Sequence, residues 1–498
     1  MQTNNRCAGS GCPLGMSRRG FMAAAGALAV TATGCTQWRL LGDKSSSSLS
    51  GDQGLKTRAP SKARIRAAFV RPEVERYWMG WPGAAYDIKA RQAQYTEVIN
   101  AAGRKFDVDL ELIGEPLCDT NTLNAFIANL RSNRPDGILI VSMCLHHPGF
   151  SSWGSMNEIA KNKGQVPMVV FSPMGTSFTG EVQGKRYPDL RKSGVFVGAT
   201  QDVQWLEVGM RMLDTIHQMK HTRICIVRRD DTKDRKLDVI GTTLHYIPES
   251  RFIDEANKVR ISDEIQAMAD YYTRNAKKIV EPSPQDVLDA AKNYIVCRRL
   301  MAAEDCHGFS MDCLGPVGRR KIKPPCLAFS RLRDEGGLGT CEADWNAAIS
   351  TRLTNLLFDR PGFMQDPAPN TANNTLNGAH CTCATKLDGF DKPAAPFILR
   401  SHSESNIGVA MQVLWRIGQE VTVMKFEGPE KIILGTGRVL RNIDTPPSGG
   451  CRTSVELEMN DMADTRDTKG FHQLFIYGNL ENEFKAYCQL AGIKVEHI

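Results

Sequence analysis

The sequence has little excess charge, no long apolar run beyond its N-terminus and no glycine-rich phosphate loop. Its 62 lysines and arginines against 55 aspartates and glutamates give a formal net charge of +7 over 498 residues, with both signs interspersed. This balance excludes a nucleic-acid-binding stripe and an acidic disordered tail. Beyond Gly34, no uninterrupted apolar run approaches the roughly 18 residues of a membrane helix. No GxGxxG or GxxxxGK(S/T) motif follows a predicted strand, which disfavours dinucleotide and nucleoside-triphosphate chemistry.

The composition is that of an ordinary globular protein. Hydrophobic residues make up 42% of the chain and charged residues 23%, and the length suggests two to four domains. Several of the 15 cysteines lie singly within apolar runs, where a free thiol packs as a small hydrophobe. We therefore expect few disulfides. The pair Cys381 and Cys383 does not have the spacing of most zinc knuckles.

The N-terminus has the pattern of an export signal. Ser17-Arg18-Arg19-Gly20-Phe21-Met22 precedes a short apolar stretch, which is typical of a twin-arginine signal and predicts one over residues 1–34. Ala32-Thr33-Gly34-Cys35 resembles a lipobox, in which the cysteine becomes lipid-modified. We expect the twin-arginine machinery as a partner, a periplasmic or cell-surface location, and membrane contact only through a lipid anchor at Cys35.

The rest of the chain divides by its patterning into a tether and three domains. Residues 35–62, rich in serine and glycine, predict a flexible tether. Short β-branched runs alternate with amphipathic stretches over residues 63–200 and again over residues 201–360, which predicts two α/β domains with parallel sheets. Residues 361–498 contain short strands separated by turn residues. The predicted fold class is α/β, with two Rossmann-like parallel-sheet domains followed by a β-rich C-terminal domain.

The predicted strands and helices of the first two domains are short and regularly spaced. The strands cover residues 65–70, 108–113, 137–143, 167–171, 195–197, 223–227, 308–313 and 326–329. The helices cover residues 86–104, 120–133, 155–162, 203–218, 265–278 and 284–301.

The densest group of candidate ligands precedes a further predicted helix. Apolar residues recur at helical spacing from Trp345 until Pro361 ends the helix. Glu342 and Asp344 therefore lie near a helix N-terminus, where the helix dipole favours a carboxylate. The same position also suits carboxylates that only cap the helix.

Three other residues extend this group. Asp366 follows an apolar pair, and His380 and His472 lie in the predicted β-rich domain. Each alone has an ordinary interpretation, because an aspartate before proline is usually a turn residue and a single histidine is usually structural. Together with Glu342 they form a mixed nitrogen and oxygen set that suits Mn²⁺ or another divalent ion with open positions for a chelating substrate.

These segments resemble a known family. Glu342-Ala343-Asp344-Trp345, Phe363-Met364-Gln365-Asp366, Ala379-His380 and His472 are similar to the metal-site segments of the L-fucose and L-arabinose isomerase superfamily. The order of two α/β domains and a β-rich domain is also similar. The resemblance at the level of motifs covers residues 325–480, and the first two domains match by pattern only.

The resemblance implies a function and roles for these residues. Glu342, Asp366 and His472 would bind Mn²⁺, and His380 would be a fourth group near the metal. A sugar would be interconverted between aldose and ketose through a cis-enediol, with Glu342 and Asp366 as the acid/base pair. A homo-oligomer, trimeric or hexameric, is implied as well. The sequence departs from the family in its export signal and its short third domain. It also has no glutamate at Asp366 or its neighbour Gln365, where the arabinose branch has one.

Two tryptophans and two histidines each have a functional interpretation and an ordinary structural one. Trp78 and Trp81 could stack on a sugar face or pack within a loop. His146 and His147 follow a predicted strand at the edge where open α/β sheets bind ligands, but no third ligand accompanies them. An alternative function from another class is an exported carbohydrate-binding lipoprotein that has the same fold without turnover.

Overall fold

The computed structural model describes residues 55–78, 85–173, 175–228, 232–445 and 450–498. Cys35 and Trp81, and with them the predicted export signal, lie outside the described residues, as does the side chain of Trp78. No helix in the described ranges is long and apolar enough to span a membrane.

The end of the predicted tether contacts the rest of the chain. Arg58 Nη2 lies 2.9 Å from a carboxylate oxygen of Asp214, and the backbone N–H of Ala59 donates to the side chain of Gln218. These contacts hold residues 58 and 59 against one helix.

A parallel sheet with helices on both faces forms the first part of the chain. Its strand order is β4-β1-β5-β8-β9, and every neighbouring pair is parallel. Phe69 of the central strand joins one core cluster, whereas its neighbours Ala68 and Val70 join another. Alternate side chains therefore enter opposite cores, as expected for a sheet covered on both faces. The elements are β1 (Arg64–Val70), β2 (Arg76–Trp78), β3 (Ala85–Asp87), α1 (Ile88–Lys105), β4 (Asp109–Leu112), α2 (Thr120–Ser132), β5 (Gly137–Ser142), β6 (His146–His147), β7 (Phe150–Ser151), α3 (Ser152–Asn162), β8 (Met168–Ser172), α4 (Thr179–Val182), a 3₁₀ turn (Pro188–Arg191) and β9 (Val195–Ala199).

A second sheet follows, with the order β11-β12-β10-β14-β15. Its strands are parallel except for the antiparallel edge strand β11. The elements are α5 (Trp205–Lys220), β10 (Arg223–Val227), β11 (Lys233–Lys236), β12 (Thr243–Ile247), α6 (Glu249–Lys258), α7 (Asp263–Asn275), β13 (Lys278–Ile279), α8 (Pro284–Ala303), β14 (Gly308–Met311), α9 (Leu314–Gly318), α10 (Cys326–Asp334), β15 (Gly339–Cys341) and α11 (Trp345–Phe358).

The C-terminal part contains a closed barrel of six strands. Strands β20-β23-β16-β17-β22-β21 follow one another, and pairing of β20 with β21 closes the ring. Strand β24 adds to β21 in parallel, and β13, β18 and β19 form a separate small sheet. The elements are β16 (Phe363–Asn370), β17 (Thr375–His380), β18 (Phe397–Arg400), β19 (Ala410–Val413), β20 (Glu420–Phe426), β21 (Lys431–Asn442), β22 (Thr453–Met459), a 3₁₀ turn (Thr465–Asp467), β23 (Gln473–Tyr477), α12 (Glu481–Ala491) and β24 (Lys494–His497).

The predicted α/β class with a β-rich C-terminal part is confirmed, but one predicted strand is wrong. Residues 326–329 begin helix α10, and the strand beside β14 is β15. A short apolar run that is buried throughout has no diagnostic period, so a strand and a buried helix have the same pattern there. Helix α10 leads directly into β15, which ends beside Glu342.

Candidate metal centre

Two neighbouring barrel strands bring Asp366 and His380 together. Asp366 lies in β16 and pairs with Ala379 of β17, so His380 is the next residue along that partner strand. Asp366 precedes a proline within the strand, not in a turn. His380 is buried and Asp366 is partly exposed.

The register of a third strand places His472 beside Asp366. Gln473, the first residue of β23, pairs with Gln365, and the Gln365 amide donates to the Gln473 carbonyl oxygen at 3.0 Å. Nε2 of His472 then lies 3.2 Å from Oδ1 of Asp366. His472 has a φ of 57°, a left-handed conformation that is uncommon for a residue other than glycine and is often found at functional sites.

Glu342 lies in the turn between β15 and α11, and its carboxylate lies beside His380 and His472. Its φ is 61° and that of Ala343 is 52°, so two successive non-glycine residues adopt the left-handed conformation. Glu342 Oε2 lies 3.4 Å from His472 Nε2, and Oε1 lies 3.8 Å from His380 Nε2. The potential ligand atoms of these three residues lie within 4.8 Å of one another. The sequence separations exceed any local motif, so only the tertiary fold assembles the group.

Three buried polar atoms at this point lack a hydrogen-bond partner of suitable geometry among the described residues. They are Nε2 of His380, Nε2 of His472 and Oδ1 of Asp366. Buried polar atoms without partners are uncommon because desolvating them costs free energy. A cation would satisfy Nε2 of His472 and Oδ1 of Asp366, and mixed imidazole and carboxylate donors suit a divalent ion. The residues present therefore fit a metal ion.

Asp344 contacts His472 through Nδ1, the ring nitrogen that does not face Glu342 and Asp366. Its Oδ2 lies 2.8 Å from Nδ1 of His472 and 3.1 Å from Nζ of Lys425. Because a carboxylate can only accept, Nδ1 of His472 carries a proton, and Nε2 is the atom left for a ligand. A carboxylate that orients a histidine through its second nitrogen is the usual outer partner of a metal-binding histidine.

The charges at the centre are strongly coupled. Burial alone would lower the pKa of His472, but close contact with Asp344, Asp366 and Glu342 raises it to about 10. The His472 contact in turn lowers the pKa of Glu342. Burial would raise the pKa of Asp344, but His472 and Lys425 lower it to about 2. In the metal-free protein, a proton on His472 therefore offsets part of the carboxylate charge, and a metal ion would take its place.

His380 differs from His472 in its hydrogen bonding. The backbone N–H of Cys381 donates to Nδ1 of His380 at 2.9 Å, and burial lowers the pKa of His380. A neutral ring whose Nδ1 accepts carries its proton on Nε2. Nε2 of His380 is thus a hydrogen-bond donor directed toward Glu342 in the metal-free protein.

The other candidate residues lie elsewhere in the described chain. His146 and His147 form β6, in a small hairpin where His146 pairs with Ser151 and His147 with Phe150. Neither histidine belongs to the described group of potential metal ligands. Trp78 belongs to the short strand β2 and pairs with Ala85.

Sequence patterns did not identify two residues that shape the centre. Lys425 is a buried lysine in strand β20 between the buried Met424 and Phe426, and its Nζ contacts Asp344 and the carbonyl oxygen of Phe471. A lysine inside such a strand is itself a signal, because a buried lysine requires a partner. Phe471 is 56% exposed beside the buried His472, with ring centroids 4.4 Å apart.

Comparison with models of known protein families and with characterised proteins finds no match to this chain.

Proposed function

We propose that the protein is a metal-dependent aldose-ketose isomerase. The observation that carries the proposal is the convergence of Glu342, His380 and His472, whose potential ligand atoms lie within 4.8 Å of one another. Asp366 joins them through Oδ1, which lies 3.2 Å from Nε2 of His472. This is the donor set expected for an ion that chelates two adjacent sugar oxygens. The similarity of the surrounding segments to the L-fucose and L-arabinose isomerase superfamily supports the same assignment.

We further propose Mn²⁺ as the metal. Glu342, Asp366 and His472 would hold it, since their free carboxylate oxygens and Nε2 face one another. Two carboxylates and one imidazole favour a hard to borderline ion over a soft one. When bound, such an ion polarises the sugar carbonyl and orients its C1 and C2 oxygens.

The residues of the chain account for the proton movements. Contact with His472 lowers the pKa of Glu342 in the metal-free protein, and a bound cation would likewise favour the ionised carboxylate. Glu342 can therefore remove the proton from C2 and return it to C1 of the resulting cis-enediol. Asp366 moves the hydroxyl proton from O2 to O1. Nε2–H of His380 donates to the oxygen on which negative charge develops. One C–H and one O–H bond break and one of each forms, so the reaction needs no external oxidant.

The fold is consistent with this family. We interpret the two sheets that precede the barrel as Rossmann-like domains, with the turn after β15 delivering Glu342 from the carboxyl end of a parallel sheet. Ligands of open α/β sheets bind at this end. The exported location and the oligomer that the sequence predicts belong to the same proposal.

The test is proton exchange at C2 of the substrate. The purified chain, loaded with Mn²⁺, is incubated in D₂O with a panel of L- and D-aldoses and followed by proton NMR. We expect metal-dependent loss of the C2 proton signal or formation of ketose with one sugar class. Glu342→Gln should abolish exchange, and Glu158→Gln, an exposed carboxylate on α3, should not change it. Sugar binding without exchange by the metal-loaded protein would contradict the proposal and favour a carbohydrate-binding function.

A further inference from the structure

Two cysteines lie next to the metal centre at the same end of two paired strands. Cys381 directly follows His380, the last residue of β17. His380 pairs with Thr453, the first residue of β22, and Cys451 lies two residues before it. The strand register therefore brings these two cysteines together, although 70 positions separate them in the chain.

The two cysteines lie close together. Oγ of Ser403 lies 3.6 Å from Cys381 Sγ and 3.9 Å from Cys451 Sγ, and Cys451 packs against the small cluster that contains Cys381. Cys381 is buried, whereas Cys451 is partly exposed. One residue of the pair is thus partly open to solvent, and the other is buried beside it.

A second pair of thiols provides a contrast. Cys225 and Cys306 also lie near each other, but both are buried within the second sheet region. Proximity alone would make both pairs equivalent. Partial exposure of Cys451 distinguishes the pair beside the metal centre, since thiol-disulfide exchange requires access to the attacking sulfur.

We propose that Cys381 and Cys451 form a reversible disulfide by exchange with an external disulfide. The Cys451 sulfur attacks the reagent, forms a mixed disulfide and releases one thiol. The Cys381 thiolate then attacks Cys451 Sγ, forms the internal bond and expels the second thiol, which takes up the Cys381 proton. Two cysteine thiols are oxidised and one external disulfide is reduced to two thiols, so atoms and electrons balance.

The surroundings of Cys381 hold its sulfur in position for the second step. Oγ of Ser403 lies 3.6 Å from Cys381 Sγ. Because the Cys381 N–H donates to Nδ1 of His380, the new bond would hold the strand end that carries this histidine.

The inference does not depend on the proposed function, and its test uses the wild-type chain. The protein is reduced with a dithiol, freed of reductant and incubated with oxidised glutathione. Remaining thiols are alkylated after unfolding, and peptides are mapped by mass spectrometry without reduction. We expect a linked peptide containing Cys381 and Cys451, with a mass lower by about 2 Da than the sum of the two reduced peptides. A dithiol should reverse it.

Matched variants and the second pair provide the controls. Cys381→Ser should stop the reaction at a glutathione adduct on Cys451, whereas Cys118→Ser, which removes another partly exposed thiol, should leave the internal link intact. Cys225 and Cys306 should remain alkylatable. The proposal is overturned if wild-type Cys451 keeps the glutathione adduct while Cys381 stays free, if no oxidation occurs, or if Cys381 links to a different cysteine.

Discussion

Nδ1 of His472 lies 2.8 Å from Oδ2 of Asp344, and this contact joins the barrel to the helix that follows the second sheet. The other oxygen of Asp344, Oδ1, accepts the backbone N–H groups of Asn346 and Ala347 at the start of α11. One carboxylate therefore caps a helix and sets the proton position of a candidate metal ligand. The helix cap that the sequence suggests is present, and the same residue has a second role.

Replacing Asp344 should separate these roles. In Asp344→Asn the amide can retain Oδ1 for the helix cap, but its NH₂ group would face the N–H of His472 and the ammonium of Lys425. We expect Mn²⁺ affinity, measured by calorimetry, to fall about 10- to 100-fold. The double variant with Lys425→Met removes the ammonium that would face the new NH₂ group and should recover thermal stability without recovering affinity. Unchanged affinity in both variants would show that Asp344 only caps the helix.

The two histidines should respond differently to substitution. His472→Gln removes a proposed ligand and should abolish measurable Mn²⁺ binding. His380→Gln should keep affinity within about tenfold, because Nδ1 of His380 already accepts the Cys381 N–H, but should reduce kcat by about 10²- to 10⁴-fold. Metal titration and turnover on both variants test this. If both variants lost metal affinity to the same extent, His380 would be a metal ligand in the same way as His472.

Metal binding should release a proton. The pKa of His472 is raised to about 10 in the metal-free protein, so this side chain is protonated at neutral pH and must lose its proton to bind through Nε2. Affinity should rise with pH by about one log unit per pH unit between about pH 6 and 9, then level off as pH passes the His472 pKa. Titration calorimetry in buffers of different ionisation enthalpy measures the proton count. Binding without proton release would contradict this arrangement.

The barrel interior beside the centre should not tolerate a larger residue at position 378. A Cβ on Gly378 would lie 2.3 Å from the ring of Phe475 and 2.7 Å from Oε1 of Gln365. Gly378→Ala should therefore lower the free energy of unfolding by about 1–3 kcal/mol. Gly114→Ala is the matched control, since no atom lies within 4 Å of its Cβ position. Chemical denaturation of both variants measures the difference, and equal stability would contradict the packing described.

Much of the fold can be predicted from sequence because local patterns determine its elements. The strand predicted at residues 137–143 is observed as Gly137–Ser142, and the helix predicted at 203–218 is observed as Trp205–Lys220. Barrel closure between β20 and β21 could not be predicted, because pairing partners are set by tertiary packing. Strand β16, which carries Asp366, contains two prolines and lacks regular alternation of apolar residues.

The site is predicted less completely than the fold. Residue chemistry groups Glu342, Asp366, His380 and His472 as candidate ligands, and family resemblance gives them roles. The structure brings them together. Nothing in the spacing of these residues shows that Asp366 and His472 are neighbours, because this depends on the pairing of β16 with β23. Nδ1 of His472 donates a hydrogen bond, whereas Nδ1 of His380 accepts one. This difference depends on atom positions that follow from the backbone conformation. A residue pattern does not contain that information.

The most direct measurement of the central claim is anomalous X-ray diffraction from crystals soaked in Mn²⁺, collected on both sides of the manganese absorption edge. We predict one strong anomalous peak per chain, between the carboxylates of Glu342 and Asp366 and Nε2 of His472. The peak should be absent in His472→Gln crystals treated in the same way. A wild-type structure with no peak at this position, or with manganese bound only elsewhere, would contradict the claim.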